Sequence, residues 1–354
     1  MTSAPKDQSG TSKQQSDARP LRVAIVGCGR MGRLHCERLQ ADGRSQVVAL
    51  LDAERTAALA LRKAAAIDAA IAERFTDIIE PGRIDATPIE AAIVCSPTQL
   101  HFEQAAALLK RGIHVLCEKP LARTRSEILE LIRAADQSEA ILSVAYQRRC
   151  WATYRAMRRI LRSKELGAVR AVVSHNTENW QQTIGGTWRD DPELNPGGFI
   201  GDAGSHKIDA VFFVTGLAPV EVFARSDRSG SRVETTASVS AGLEGGASLT
   251  MDFVGNAQRF SEMLAVYCER GDLILRDGAI WIARGSAAER LVNDAGTAAA
   301  DPSPVDAFLD TLLAGAENFA PPECALPVLE FTQAILESAQ SGQPVRLPAS
   351  ARPA

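Results

Sequence analysis

From Leu21 to about Ser143 the chain alternates short apolar runs with helical stretches, and that rhythm leaves few folds open. "RVAIVG", "QVVALLD", "AAIVCSP", "HVLCEKP" and "ILSVAY" are the runs. Between them lie helical segments over "GRLHCERLQA", an alanine-rich stretch from Thr56, "LHFEQAAALLKRG" and "SEILELIRAADQ". Strands that are apolar on both faces need cover on both sides. Joined through helices, they build a parallel, doubly wound sheet.

After Tyr146 the rhythm changes. A helix over Tyr154–Arg162 leads into "AVRAVVSHN", then a Gly/Pro-rich loop and a helix from about Ala203 to Thr215. Between 220 and 284 follow "VEVFARS", "TASVSAG", "ASLTMDF", "EMLAVYC", "DLILR" and "AIWIAR". Their short, glycine-bearing connections, and the alternation over 247–253, predict an open, mainly antiparallel sheet. Two helices, over 304–314 and 325–340, close the chain. The fold class is α/β: a polar tail expected to be disordered over 1–20, a nucleotide-type domain over 21–143, and an α+β domain over 144–348.

Composition excludes some functions. Among 354 residues, 39 Lys and Arg are dispersed and matched by 43 Asp and Glu, so no nucleic-acid surface is expected. No apolar run approaches a membrane span, and no membrane partner is expected. The first twenty residues lack the apolar region of an export signal. The cysteines, at 28, 36, 95, 117, 150, 268 and 324, are odd in number and form no CxxC pair. They fit reduced thiols rather than a disulfide framework or a zinc site, and the expected compartment is the cytoplasm.

"GCGRMG" places Gly27, Gly29 and Gly32 after the first strand and at the opening of a helix. Gly27 permits the tight turn, Gly29 admits a pyrophosphate, and Gly32 lets helix and strand pack closely. The second strand ends in Asp52, twenty residues past the last glycine. A carboxylate there binds both ribose hydroxyls and repels a 2′-phosphate, favouring NAD over NADP, although Arg55 lies close in sequence. Ser96 and Pro97 follow "AAIVC" at the same carboxyl edge.

Lys119 also ends a parallel strand, in "HVLCEKPLA", and Pro120 restricts its conformation; the bond between them can be cis. An ammonium fixed beside a nicotinamide stabilises an alkoxide as hydride departs. A lysine snorkelling to solvent is the alternative. Further on, "NPGGFIGDAGSHKID" sets Asp202 and His206 four residues apart. If the helix begins near Ala203, both lie on one face of its first turn. The histidine then accepts a hydroxyl proton and the carboxylate orients the ring. A helix cap and a surface histidine are the plain alternatives. No coherent set of further ligands accompanies His206, so no metal is expected.

The order of "GCGRMG", "SPTQLH", "VLCEKPLA", "WRDDPELNPGGFIGDAGSHKID" and "SAQSGQPVRL" resembles the glucose–fructose oxidoreductase, inositol dehydrogenase and MocA (Gfo/Idh/MocA) family over about 21–347. The resemblance implies an N-terminal Rossmann domain and a C-terminal domain whose open sheet forms dimers or tetramers. It implies Lys119, Asp202 and His206 as the catalytic set. Cofactor contacts would come from Gly27, Gly29, Arg30, Met31, Gly32, Asp52, Ser96, Pro97, His101, Glu118, Lys119 and Gln147. Lys119, Arg148, Asn176, Trp188, Arg189, Asp202 and His206 would meet the substrate. Two departures, "PGGFIGD" before the acid and Lys207 after His206, bear on which substrate is taken. The implied activity is NAD-dependent oxidation of a secondary alcohol of a small-molecule sugar, cyclitol or polyol. A redox cycle on retained NAD and a non-catalytic NAD-binding regulator are the alternatives.

Overall fold

The computed structural model describes residues 19–84, 87–276, 278–285, 287–291 and 301–348. The tail expected over 1–20 lies outside them except for Arg19 and Pro20. The first sheet has strands β1 (Leu21–Val26), β2 (Ser45–Leu51), β3 (Ala70–Ile71), β4 (Ala91–Val94), β5 (His114–Cys117) and β6 (Leu142–Val144). Between them run α1 (Arg30–Asp42), α2 (Arg55–Ala65), α3 (Phe75–Ile79), α4 (Thr98–Leu109) and α5 (Arg125–Ser138). β3 and α3 are too short to leave a periodic signal in the sequence.

All six strands are parallel, in the order β3-β2-β1-β4-β5-β6. The order reverses between β1 and β4, which opens a crevice outside their carboxyl ends. Register then decides what lines it. Val26 pairs with Val94, Val94 with Cys117, and Cys117 with Val144. Gly27, Cys95, Glu118 and Ala145 therefore leave the sheet at one level, and the residues just after them form the rim.

Beyond a single 3-10 turn (Gln147–Cys150) come α6 (Ala152–Arg162), β7 (Val169–Asn179), α7 (Trp180–Ile184), α8 (Gly198–Gly201) and α9 (Ser205–Thr215). The second sheet adds β8 (Pro219–Asp227), β9 (Thr236–Leu243), β10 (Ser248–Val254), β11 (Asn256–Cys268), β12 (Asp272–Arg276), β13 (Ala279–Arg284) and β14 (Ala287–Leu291). Helices α10 (Pro304–Ala314) and α11 (Ala325–Ser341) precede the short β15 (Val345–Arg346). Their order is β14-β13-β12-β11-β7-β10-β9-β8-β15.

Antiparallel pairing holds throughout except at the centre, where β10 runs parallel to β7. Glycine-bearing turns signal hairpins but say nothing of which strand lies beside β7, so this parallel seam is set by tertiary packing. One face of the sheet packs on α9 and α11; the other carries Val173, His175, Met263 and Tyr267 and is open.

The two halves are tied together. α10 returns to pack on α1 and β5, and α11 packs on α5 and α9. Arg149 and Asp209, both fully buried, join the linking turn to α9 at 2.8 Å, and Arg149 also donates to the Phe319 carbonyl. That pair anchors α9 one turn past His206.

Candidate active site

The glycine loop is shaped by sterics. Gly27 sits at φ +95°, and a Cβ on it would lie 2.6 Å from Cys95 C and Ser96 N. A Cβ on Gly32 would run into the Gly27 carbonyl oxygen. Gly29 differs: nothing lies within 4 Å of where its Cβ would stand. α1 starts there with no side-chain cap and no acid in its first turn, leaving its N–H groups for an anion. Asp52 accepts from the Cys28 N–H at 2.7 Å and from the Glu54 N–H at 2.9 Å, which fixes its carboxylate at the end of β2. An open cradle, an uncapped helix and a fixed acid fit a dinucleotide's pyrophosphate and ribose. Arg30 is exposed and Met31 half-buried in that first turn.

Ser96 donates to Gln104 at 2.6 Å, Pro97 is exposed, and Gln147 is half-buried at the start of the linking turn. Two expected cofactor contacts are otherwise engaged. His101 is buried, its ring nitrogens 2.7 Å from the Pro120 carbonyl and 2.8 Å from that of Ser96, so it clamps two rim loops together. Glu118 meets His35 of α1 at 2.9 Å and accepts from the Lys119 N–H. Both side chains are turned inward from the rim loops that carry them.

Lys119 crosses from the first domain to the second. The Lys119–Pro120 bond is cis. Nζ donates to Asp202 Oδ1 at 2.8 Å and to the Asp202 carbonyl at 2.9 Å. Asp202 Oδ2 accepts from Trp180 Nε1 at 3.0 Å and Arg189 Nε at 2.9 Å. Burial works against this carboxylate, but the Lys119 and Arg189 charges and the bonds from Lys119 and Trp180 outweigh it, holding the carboxyl at about 2. Arg189 stacks on Trp188, its guanidinium 4.4 Å from the ring centre.

Asp202 does not orient His206 as expected. It lies ahead of α9, with φ −84° and ψ −89°, so the two do not share a helical face. Its oxygens are engaged by the groups just named. His206 Nδ1 is buried with no protein partner, and the ring meets Tyr146 edge-on at 6.0 Å. Burial first, then the charges of Lys119, Arg148 and Lys207, push its proton affinity well below the ordinary histidine value. The imidazole is neutral at neutral pH, the form that can accept a proton, although its surroundings disfavour the charged ring.

A second polar cluster flanks the histidine. Arg148, expected to meet substrate, binds Glu262 of β11 through Nε at 3.1 Å and through a second nitrogen. Lys207 and Tyr154 bond the same carboxylate. Arg148's burial opposes its charge, but Glu262 outweighs that and raises it further. Lys207 is pulled down to about 8 by burial and then by Arg148. Asn176, a further expected substrate contact, is buried in the sheet and donates to Ser174 and the Asp252 carbonyl. Sequence reasoning missed Glu262, Tyr154 and Trp180. Nothing local marks them; in the sequence only Arg148 and the unusual Lys207 pointed toward the Glu262 cluster.

A cavity of about 470 Å³ opens beside the lysine loop. Pro120, Leu121, Tyr146, Trp188, Asp202 and Ser205 line one side, and Val328, Leu329 and Thr332 of α11 the other. Its size falls in the ordinary range for small ligands. Among the described residues no three His, Cys, Asp or Glu gather as a metal site, and no helix is long and apolar enough to cross a membrane.

A Rossmann domain joined to an open mixed sheet, with charged groups from both meeting at the rim, defines a nucleotide-binding protein of the two-domain oxidoreductase class. Residues 21–146 match the Gfo/Idh/MocA oxidoreductase family's NAD-binding Rossmann domain and residues 154–274 its C-terminal domain. The chain belongs to the Gfo/Idh/MocA family. It is 26% identical to inositol 2-dehydrogenase of Rhizobium meliloti over 58% of each chain. It is also 26% identical to D-glucoside 3-dehydrogenase of Escherichia coli, over 59% of this chain and 58% of that one. The chain thus spans little more than half the length of these curated relatives. An oxidoreductase domain protein from Kribbella flavida superposes with a TM-score of 0.83 at 20% identity, over 94% of this chain and all of that one.

Proposed function

We propose that this protein is an NAD-dependent dehydrogenase acting on a secondary alcohol of a sugar, cyclitol or related polyol. The observation that carries the reading is Lys119, just past the end of β5, bonded to Asp202 of the second domain, which lies shortly ahead of the helix that carries His206. The neutral imidazole receives the hydroxyl proton. Lys119, held by Asp202, offsets charge as it develops on the oxygen. Asp202 keeps an opposite charge beside the ammonium down to about pH 2 and presents its edge to the cavity. NAD, held at Gly27, Gly29, Gly32 and Asp52, supplies the hydride acceptor when bound.

NAD is preferred to NADP because Asp52 repels a 2′-phosphate and Arg55 pairs with Glu73 at 3.3 Å. The open face of the second sheet supports assembly as a homodimer or homotetramer. Seven free cysteines support a reducing, cytoplasmic setting.

Polyols and sugar acids screened with NAD and NADP test the reading. Lys119→Ala should abolish NADH formation while nucleotide binding persists; full turnover by that variant would refute the assigned role. NAD that copurifies without exchange, with turnover but no net NADH, would point instead to a redox cycle.

A further inference from the structure

The cavity beside the lysine loop has an apolar wall and room to spare. Its volume of about 470 Å³ is about three times the roughly 150 Å³ in which an apolar cavity holds a benzene ring. Leu121 of the lysine loop, Ile128 of α5 and Ala325, Val328, Leu329 and Leu336 of α11 form that wall. Trp188 and Leu194, on the loop opposite, also line it and are large apolar side chains left 36% and 41% exposed.

The buried polar side chains of the lining are already bonded within the protein. Ser205 donates to the Asp202 carbonyl, Thr332 to that of Val328, and Asn195 to those of Arg189 and Gly198. The Asp202 carboxylate serves Lys119, Trp180 and Arg189, and Glu127 accepts from the Arg123 and Thr124 N–H groups. Arg123 and Gln333 are exposed to solvent. A hydroxyl taken out of water needs a new partner, and the α11 wall offers none; an apolar group needs none and gains by leaving water.

The reaction point lies beside this space rather than in it. Neither Lys119 nor His206 lines the cavity, but their neighbours do. Pro120 follows Lys119, Ser205 precedes His206, Asp202 holds the Lys119 ammonium, and Tyr146 meets the imidazole ring edge-on.

We infer that the substrate is a conjugated sugar or polyol, whose apolar, ring-sized substituent lodges in this cavity against α11. This deepens the dehydrogenase reading and rests on it. The polar ring presents its hydroxyl to Lys119 and His206, and the substituent extends past Asp202 toward Leu329.

The test compares methyl and phenyl glucoside, following turnover with NAD and binding by calorimetry on NADH-loaded enzyme. The phenyl glucoside should exceed the methyl one in kcat/KM by roughly 10- to 100-fold, the usual worth of burying an aromatic ring. Leu329→Trp, which fills the cavity, should lower the phenyl-to-methyl ratio by about tenfold, and the volume-conserving Leu329→Met should keep it. Free benzyl alcohol should compete with the phenyl glucoside for the same space.

A phenyl glucoside that binds and reacts no better than the methyl one overturns the inference and leaves the dehydrogenase intact. So does a Leu329→Trp variant that slows both equally, which marks a packing residue. Benzyl alcohol that changes methyl glucoside turnover without displacing the phenyl glucoside assigns the cavity to a separate effector and also overturns it. A phenyl glucoside that binds in a Leu329-dependent way without reducing NAD upholds the apolar subsite and sinks the dehydrogenase reading.

Discussion

Replacing Asp202 by asparagine tests the geometry that joins the two domains. The carboxyl falls from 3.8 to about 2, slightly under two units, because two cations and two hydrogen bonds outweigh its burial. At about 1.36 kcal/mol per unit, the ionised form adds about 2 kcal/mol to stability. The folded value lies below the unfolded one, so this contribution is complete above about pH 4 and is lost as pH falls through about 2. Asp202→Asn removes it at every pH and leaves Lys119 and Arg189 facing a neutral amide. Breaking a buried pair in this way typically costs about 3–5 kcal/mol, so the expected loss at pH 7 is about 2–5 kcal/mol. Urea denaturation of both proteins between about pH 3 and 7 reads it. The gap in midpoint should be largest near neutrality and shrink in acid. Equal midpoints at pH 7, or a gap that widens as pH falls, would refute the argument.

The glycine loop makes a paired prediction. Gly29→Ala should leave the thermal midpoint unchanged yet weaken NAD binding in calorimetry, since the space its Cβ enters is open in the protein and is where a bound pyrophosphate would lie. Gly32→Ala should destabilise the fold itself by about 1–3 kcal/mol, because the new Cβ overlaps the Gly27 carbonyl; equal stability of the two variants would contradict this. For His206, the acid limb of kcat/KM should lie well below pH 6.5, as burial and three cations keep the ring neutral. His206→Asn should remove that limb and lower kcat by roughly 10²–10⁴. An acid limb near pH 6.5 or 7 would count against the electrostatics described.

Much of the first domain was legible because its signals are local. An apolar run, a glycine that must turn at φ +95° and a helix opening three residues later are decided by neighbours in the chain. Parallel pairing follows from strands that are apolar on both faces, and it aligns Gly27, Cys95 and Glu118 at one edge. The second sheet was legible as a set of strands but not as an order. Hairpin turns specify neighbours in sequence, whereas the parallel β7–β10 seam joins strands separated by α9, β8 and β9.

What side chains do at the site was decided by the tertiary structure. Lys119 meets Asp202 across 83 residues, and Arg148 meets Glu262 across 114. His101 and Glu118 sit in the loops their motifs mark, yet they face carbonyls and a buried histidine rather than the crevice. The sequence by itself determined that a dinucleotide-type crevice exists and which loops rim it, because backbone conformation depends on adjacent residues. Only the folded chain decided which charges share a carboxylate and which ring stays neutral, because burial and Coulomb forces act between groups that are near in space, however far apart they stand in sequence.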